Sequence, residues 1–254
     1  MSKKPTVAVW KFTGCAGCQM EILRLENELP SILEVVDIAY FMMAKRRYSS
    51  GPYDASFVEG SVSTPREIEE IKKVRSSSKI LVALGDCAVY GCVPSIKNWF
   101  PERSVEERVY ENPSLIRSTK VHGIDEYVPV DLYVGGCPPH RGMFMETVRA
   151  LLMNIRPDLR RHAVCMECKF RENECLLTSR KRPCMGPVTL AGCGAICPSF
   201  NRDCEGCYGP MSDANATSLA EEFKAIGLSS DEILRKFRKY AGTSPKYAKE
   251  AETR

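Results

Sequence analysis

Two spacings of apolar residues take turns along the first 155 positions. Short β-rich runs at 6–12 (TVAVWKF), 35–41, 55–58, 80–84 (ILVAL) and 132–134 predict strands. Brief apolar runs bounded by turn residues suit strands buried on both faces. Between them apolar residues recur at helical spacing: from the turn after Phe12 through Leu29, over 65–75, and over 141–155. Strands alternating with helices predict a doubly wound α/β fold on a mostly parallel sheet.

From about residue 160 the periodicity lapses. Cys, Gly, Pro and charged residues dominate through 210, with few apolar residues for a core, so this segment is expected to need metal to fold. Helical patterning returns over 214–240, first in Leu219, Phe223 and Ile226 and then in Ile233, Leu234 and Phe237. These are amphipathic helices, either lying on the surface or docking onto a partner. The polar tail beyond Gly242 is expected to be mobile. The expected organisation is an α/β domain over 1–159, a cysteine-rich domain over 160–212 and a helical tail over 213–254.

Cysteine content adds chemistry to this outline. Thirteen of the 254 residues are Cys, and eight of them lie between Cys165 and Cys207. Because 44% hydrophobic content supplies a core, disulfide staples are not needed. No apolar run nears the roughly 18 residues of a membrane span, and Met1 leads almost directly into the first strand run without room for a signal peptide. The expected location is therefore cytoplasmic, where closely spaced cysteines point to metal ligands rather than disulfides. The formal net charge is only +4, and the basic residues are scattered in short clusters such as Lys45-Arg46-Arg47 and Arg180-Lys181-Arg182. With no basic stripe or aromatic platform, nucleic-acid binding is not expected.

Position narrows the reading further. Cys15, Cys18, Cys87 and Cys137 each follow a predicted strand, and the carboxyl ends of such strands meet at one ligand-binding crevice. Buried cysteines are also ordinary core residues, but the glycines in Gly14-Cys15-Ala16-Gly17-Cys18, Gly85-Asp86-Cys87 and Gly135-Gly136-Cys137 suit close approach to a bulky group. The second half reads Cys165-x2-Cys168-x6-Cys175-x8-Cys184, then Cys193-x3-Cys197-x6-Cys204-x2-Cys207. Two sets of four thiolates fit two iron–sulfur cubanes, each C-x2-C pair on a turn supplying two neighbouring corners. Zinc takes similar sets, and spacing does not say how the eight divide. Cys92, in Gly91-Cys92-Val93-Pro94, reads as a structural cysteine. His140 and His162 are expected to be polar surface groups rather than ligands, and Glu21 an ordinary carboxylate of the first helix rather than a proton relay.

Together, Cys15-Ala16-Gly17-Cys18, Gly85-Asp86-Cys87-Ala88 and Gly136-Cys137-Pro138-Pro139 resemble the proximal-cluster signature of nickel–iron hydrogenase small subunits, a pattern shared with a complex I cluster subunit. Cys184-Met185-Gly186-Pro187 and Cys204-Glu205-Gly206-Cys207 resemble the hydrogenase distal and medial motifs, which the complex I subunit lacks. The resemblance implies a flavodoxin-like sheet domain and three [4Fe–4S] clusters. It places the proximal cluster on Cys15, Cys18, Cys87 and Cys137, and the distal one on Cys165, Cys168, Cys175 and Cys184. The medial cluster falls to Cys193, Cys197, Cys204 and Cys207. Cys165 stands where membrane-bound members have histidine, and Cys193 adds a fourth medial ligand. These departures, with the segment 57–63 (FVEGSVS), resemble the cytoplasmic, NAD(P)-linked sulfhydrogenase delta subunits; methanogen-type enzymes linked to heterodisulfide reductase or a deazaflavin share most of the pattern.

The resemblance also implies a role. Hydrogen would be activated at a Ni–Fe centre in a separate large subunit, with no catalytic residue in this chain. Electrons would pass through the three clusters to a partner subunit carrying FAD and NAD(P), and a further iron–sulfur subunit is expected. A zinc-stabilised scaffold subunit is the alternative of another class.

Overall fold

The computed structural model describes residues 4–252, which form two compact units, one up to Arg141 and one from Gly142. The first unit is built on five strands, β1 (Thr6–Lys11), β2 (Asp37–Phe41), β3 (Tyr53–Glu59), β4 (Ser78–Leu84) and β5 (Leu132–Val134). All four pairings are parallel and the order is β2-β1-β3-β4-β5. This is the flavodoxin-like order, with its switch point between β1 and β3.

Register brings the strand ends level. Lys11 pairs with Glu59, Glu59 with Leu84, and Leu84 with Val134. Four strands therefore end in line, and the chain leaves all of them at one edge of the sheet.

Helices α1 (Gly17–Leu23) and α2 (Leu29–Val35) follow β1, α3 (Pro65–Ser76) follows β3, and α4 (Asp86–Tyr90) follows β4, with α5 (Glu102–Val109) beyond it. The single helix expected from the first turn through Leu29 is divided into α1 and α2. Pro30 lacks the N–H that a continuous helix would use there and clashes with the preceding turn, so it sits at the start of a new helix instead. α3 begins on Thr64, whose hydroxyl accepts the Glu67 N–H at 3.2 Å, with Pro65 in the first turn. On one face of the sheet Val58, Leu81 and Ala83 pack with Ile71 and Val74 of α3 and with Phe12, Ile124 and Val128. Burying each large aliphatic or aromatic side chain contributes about 1.5–3 kcal/mol. Trp10 also joins a second cluster, of Ala8, Ala39 and Tyr53 with Tyr40, and the Trp10 and Tyr40 rings stack 4.0 Å apart.

The second unit holds α6 (Arg141–Leu152) from its second residue on, then α7 (Val164–Phe170), α8 (Leu176–Arg180), α9 (Ile196–Ser199), α10 (Ala216–Ala225), α11 (Ser230–Ala241) and α12 (Ala248–Ala251). The cysteine-rich segment is more ordered than its composition suggests: Val164, Leu176, Met185, Val188, Ala191 and Tyr208 are all buried. α11 starts in a capping box between Ser229 and Glu232. The mobile tail expected after Gly242 is corrected. Tyr247 is 1% exposed, packs edge-on to Phe237 at 5.3 Å and donates its hydroxyl to the Val188 carbonyl at 3.2 Å. One aromatic anchor with a polar partner outweighs the polar residues around it.

Candidate cluster-binding sites

The aligned strand ends bring four predicted cysteines together. Cys15 and Cys18 lie on the turn after β1 and the start of α1, Cys87 in the first turn of α4 just past β4, and Cys137 three residues past β5. The Cys18 thiol is pushed well up, first by burial, then by the charge of Glu59 and by the neighbouring thiols of Cys87, Cys137 and Cys15. Cys15 remains exposed, Cys18 and Cys87 are buried, and Cys137 lies between.

Backbone and carboxylates hold the loops. Gly85 N–H donates to the Val134 carbonyl at 2.7 Å, and Asp86 N–H to the Gly136 carbonyl at 3.0 Å; the Gly136 N–H returns a 2.6 Å bond to Asp86 Oδ1. Asp86 is fully buried, and burial raises its carboxyl well above the ordinary range. Its Oδ2 finds no partner. Glu59, 1% exposed at the end of β3, accepts the Ala16 N–H at 3.2 Å and Gln19 Nε2 at 3.3 Å. The sequence did not single out Asp86 or Glu59: one is hidden beside a cysteine, the other closes an apolar run.

Cys92, read from sequence as structural, is completely buried beside Cys137 and Cys87. Its proximity lowers the Cys137 thiol to about 7, against burial, which raises it. No sequence signal tied Cys92 to the strand-end thiols, because the contact depends on how the chain turns after α4.

In the second unit Cys165 and Cys168 lie on α7 rather than on a turn, at the i, i+3 spacing that puts both on one helical face. Burial comes first in raising Cys165 to about 11, followed by Cys184, Cys168 and Cys175. These four are therefore neighbours. Cys193 is raised by burial and lies beside Glu167 and Cys197, whereas Cys204 is raised by burial and lies beside Cys184 and Cys207. Glu167, another residue the sequence did not flag, sits between Cys165 and Cys168 and accepts the N–H groups of Gly192 and Gly194 at 3.0 and 2.9 Å. It thereby ties α7 to the loop carrying Cys193.

A sulfur-rich, bulky group fits these residues on three grounds. A Cβ at Gly85 would lie 2.3 Å from Cys18 Sγ, and its φ of +83° disfavours any side chain; a Cβ at Gly186 would lie 3.3 Å from Cys165 Sγ and 3.5 Å from Cys184 Sγ. Backbone N–H groups point at sulfur: Gly17 at Cys15 (3.4 Å) and Cys204 at Cys184 (3.3 Å), with others at Cys175 and Cys193. Such donors stabilise thiolate ligands and the charge of a cluster. The buried Asp86 Oδ2, between Gly85 and Cys87, is left without a hydrogen-bond partner. Among the described residues, no three His, Cys, Asp or Glu side chains are gathered to hold a single metal ion. There is thus no preformed tetrahedron for one zinc, and the choice of metal turns on family.

Residues 15–151 match the family model described as the NADH ubiquinone oxidoreductase 20 kDa subunit. Sulfhydrogenase 2 subunit delta of Pyrococcus furiosus is 37% identical over 237 residues, 92% of this chain and 98% of that protein. The chain belongs to the nickel–iron hydrogenase small-subunit family. A subunit of the vhu F420-non-reducing hydrogenase of Methanococcus voltae is 29% identical over 92% of each chain. The solved structure of an NAD+-reducing [NiFe]-hydrogenase superposes at a TM-score of 0.58 and 27% identity, covering 62% of this chain and 96% of that one.

As a hydrogenase small subunit the chain is part of an oxidoreductase whose hydrogen-activating site lies in the large subunit. Membership gives the strand-end thiols their context. Glu21 pairs with Arg24 at 2.9 Å on the first helix. His140 is exposed, and His162 is half-buried with its carbonyl accepting the Ala191 N–H. No helix among the described residues is long and apolar enough to cross a membrane.

Proposed function

We propose that this small subunit is an electron relay holding three [4Fe–4S] clusters: a proximal one on Cys15, Cys18, Cys87 and Cys137, a distal one on Cys165, Cys168, Cys175 and Cys184, and a medial one on Cys193, Cys197, Cys204 and Cys207. The observation that carries the reading is the meeting of four thiols from three loops at the carboxyl edge of a parallel sheet, in a chain of this family. Bound there, the clusters would pass single electrons between the large subunit's Ni–Fe site and an acceptor. The chain's own part is to fix the sulfurs, point N–H groups at them and exclude water from Cys18, Cys87, Cys184 and Cys204, all of which are buried.

A flavin- and NAD(P)-carrying subunit and a further iron–sulfur subunit are the proposed partners, in the cytoplasm. The 37% identity to a sulfhydrogenase delta subunit supports this acceptor, and the NAD+-reducing enzyme with a similar fold adds to it. A methanogen-type assembly is the second reading, favoured by the match along 92% of each chain to a subunit of an F420-non-reducing hydrogenase.

Iron and acid-labile sulfide analysis of the anaerobically purified chain tests the cofactor. About twelve of each per chain is expected, four per cubane; a colourless protein with bound zinc overturns it. In the assembled complex Cys15→Ser is expected to abolish electron transfer from hydrogen to any acceptor. Normal turnover in that variant refutes the proximal assignment.

A further inference from the structure

Cys193 sits between two glycines, and one carboxylate grips both of them. Glu167 accepts the Gly192 N–H on Oε1 at 3.0 Å and the Gly194 N–H on Oε2 at 2.9 Å, so the peptides on either side of Cys193 hang from a single side chain. Such charge-assisted bonds are stronger than neutral ones, and a two-oxygen grip also fixes direction. Among the described residues neither N–H has another acceptor. The glycines do not hold the segment themselves, since φ is +140° at Gly192 and +67° at Gly194, outside any helix or ladder.

The other end of the tie is firm. Glu167 stands on α7 between Cys165 and Cys168, and α7 is docked independently of it. Val164 is 1% exposed and donates its N–H to the Thr189 carbonyl at 2.9 Å, beside a bridge between Ala163 and Leu190. Two of the other thiols proposed for the medial cluster also have their own supports. Cys197 lies on α9 with its carbonyl accepting the Arg202 N–H at 2.9 Å, and the Cys204 carbonyl accepts the Met185 N–H at 2.9 Å. Cys193 is the medial thiol whose placement runs through Glu167.

We propose that Glu167 is the positioning residue that makes the medial site a four-thiolate one: it presents Cys193 from the helix that carries two distal ligands, and without it the site falls back to Cys197, Cys204 and Cys207. The inference rests on the cluster assignment proposed above. A cubane takes one thiolate at each iron. With one thiolate lost, the unheld iron leaves as Fe2+ and a [4Fe–4S]2+ core becomes [3Fe–4S]0, with no electron gained or lost. Glu167 thereby decides which type of cluster stands in the middle of the relay.

The test is iron analysis and electron paramagnetic resonance on the anaerobically purified chain, with thionine added to take one electron from any three-iron core and give it a half-integer spin. Glu167→Ala is expected to lower iron from about twelve to about eleven atoms per chain and to bring up a three-iron signal that wild type lacks, the same signal as in Cys193→Ala. Glu167→Gln keeps one acceptor oxygen and is expected to show that signal at lower amplitude. Combining Glu167→Ala with Cys193→Ala is expected to remove no further iron, because both changes act on one ligand. Full iron content without a three-iron signal in Glu167→Ala overturns the inference. Iron loss well beyond one atom does so too, since Glu167 would then support a whole cluster rather than one ligand, as does additive loss in the double variant. Should Glu167→Ala not fold, Glu167→Gln against wild type decides by the same criteria. A three-iron signal, or no cluster signal at all, in the wild type defeats the medial assignment itself, a result distinct from an unchanged variant.

Discussion

Glu59, at the end of β3, holds the N–H of Ala16 at 3.2 Å, so the middle strand of the sheet grips the turn that carries Cys15 and Cys18. The same carboxylate takes Gln19 Nε2 from the first helix at 3.3 Å. Replacement of Glu59 by Ala leaves the part-buried Ala16 N–H without its acceptor, whereas Gln19 Nε2 keeps the Trp10 carbonyl at 3.4 Å. Leaving a buried donor unsatisfied costs about 1–3 kcal/mol, and the iron-free chain is expected to melt about 2–4 °C lower per kcal/mol lost. Unchanged thermal unfolding would show that the turn holds without it.

The same residue carries a pH signature. Burial raises the Glu59 carboxyl, although the nearby Lys11 charge and the bonds from Ala16 and Gln19 pull the other way. A folded value above the unfolded one of about 4.3 means that its contribution is fully present below that pH and lost as pH rises through the folded value. Glu59→Gln, which does not titrate, is expected to flatten that decline. Denaturant unfolding of wild type and variant from pH 4 to pH 8 checks it; identical slopes would count against the assignment.

Gly85 sits where no side chain fits. Gly85→Ala would drive a Cβ to 2.3 Å from Cys18 Sγ at φ +83°, ψ 158°, a region essentially confined to glycine that alone costs about 1–3 kcal/mol. Iron analysis is expected to fall from about twelve to about eight atoms per chain, with the second-unit clusters kept. Full iron content in a folded variant would place the proximal group elsewhere.

In the second unit Lys236 of α11 bridges Asp203 at 3.0 Å and Glu205 at 2.9 Å, on either side of Cys204. Its side chain is 16% exposed and that of Asp203 13%, so the pair is shielded enough to matter. Hydrogen bonds to charged groups contribute about 1.5–3 kcal/mol, and Lys236→Met is expected to destabilise by that order. Burial pushes both carboxyls up, but Lys236 with Arg182 at Asp203, and Lys239 ahead of Lys236 at Glu205, more than offset it and hold them below their usual range. Their stabilisation is present above about pH 4 and lost as pH falls through the lowered folded values. Lys236→Met should weaken that acid dependence, as urea titrations at pH 3 and pH 7 would show.

The final segment is a structural part of the second unit. Tyr247→Ala removes a ring packed against Phe237 and is expected to cost about 3–5 kcal/mol; Tyr247→Phe, which keeps the ring and loses the bond to the Val188 carbonyl, about 1 kcal/mol. Equal melting temperatures for wild type and Tyr247→Ala would restore the mobile tail inferred from composition.

The sequence by itself determined the strands, because ILVAL of β4 and its counterparts are short apolar runs and all but β2 stop at a glycine turn. That local code also delivered Cys15, Cys18, Cys87 and Cys137 as strand-end residues. The motif resemblance added the family. Pro30 was equally local, a helix breaker in plain view that the apolar spacing of Ile22, Leu25, Leu29 and Ile32 obscured. Only the tertiary structure decided the rest. The alignment of Lys11, Glu59, Leu84 and Val134 across the ladders is set by hydrogen bonds between segments far apart in the chain, and it turns separate strand ends into one site. Glu59 reaches that site through the sheet register. It has no periodic signature, so the residue that grips the thiol-bearing turn was hidden while the thiols themselves were visible.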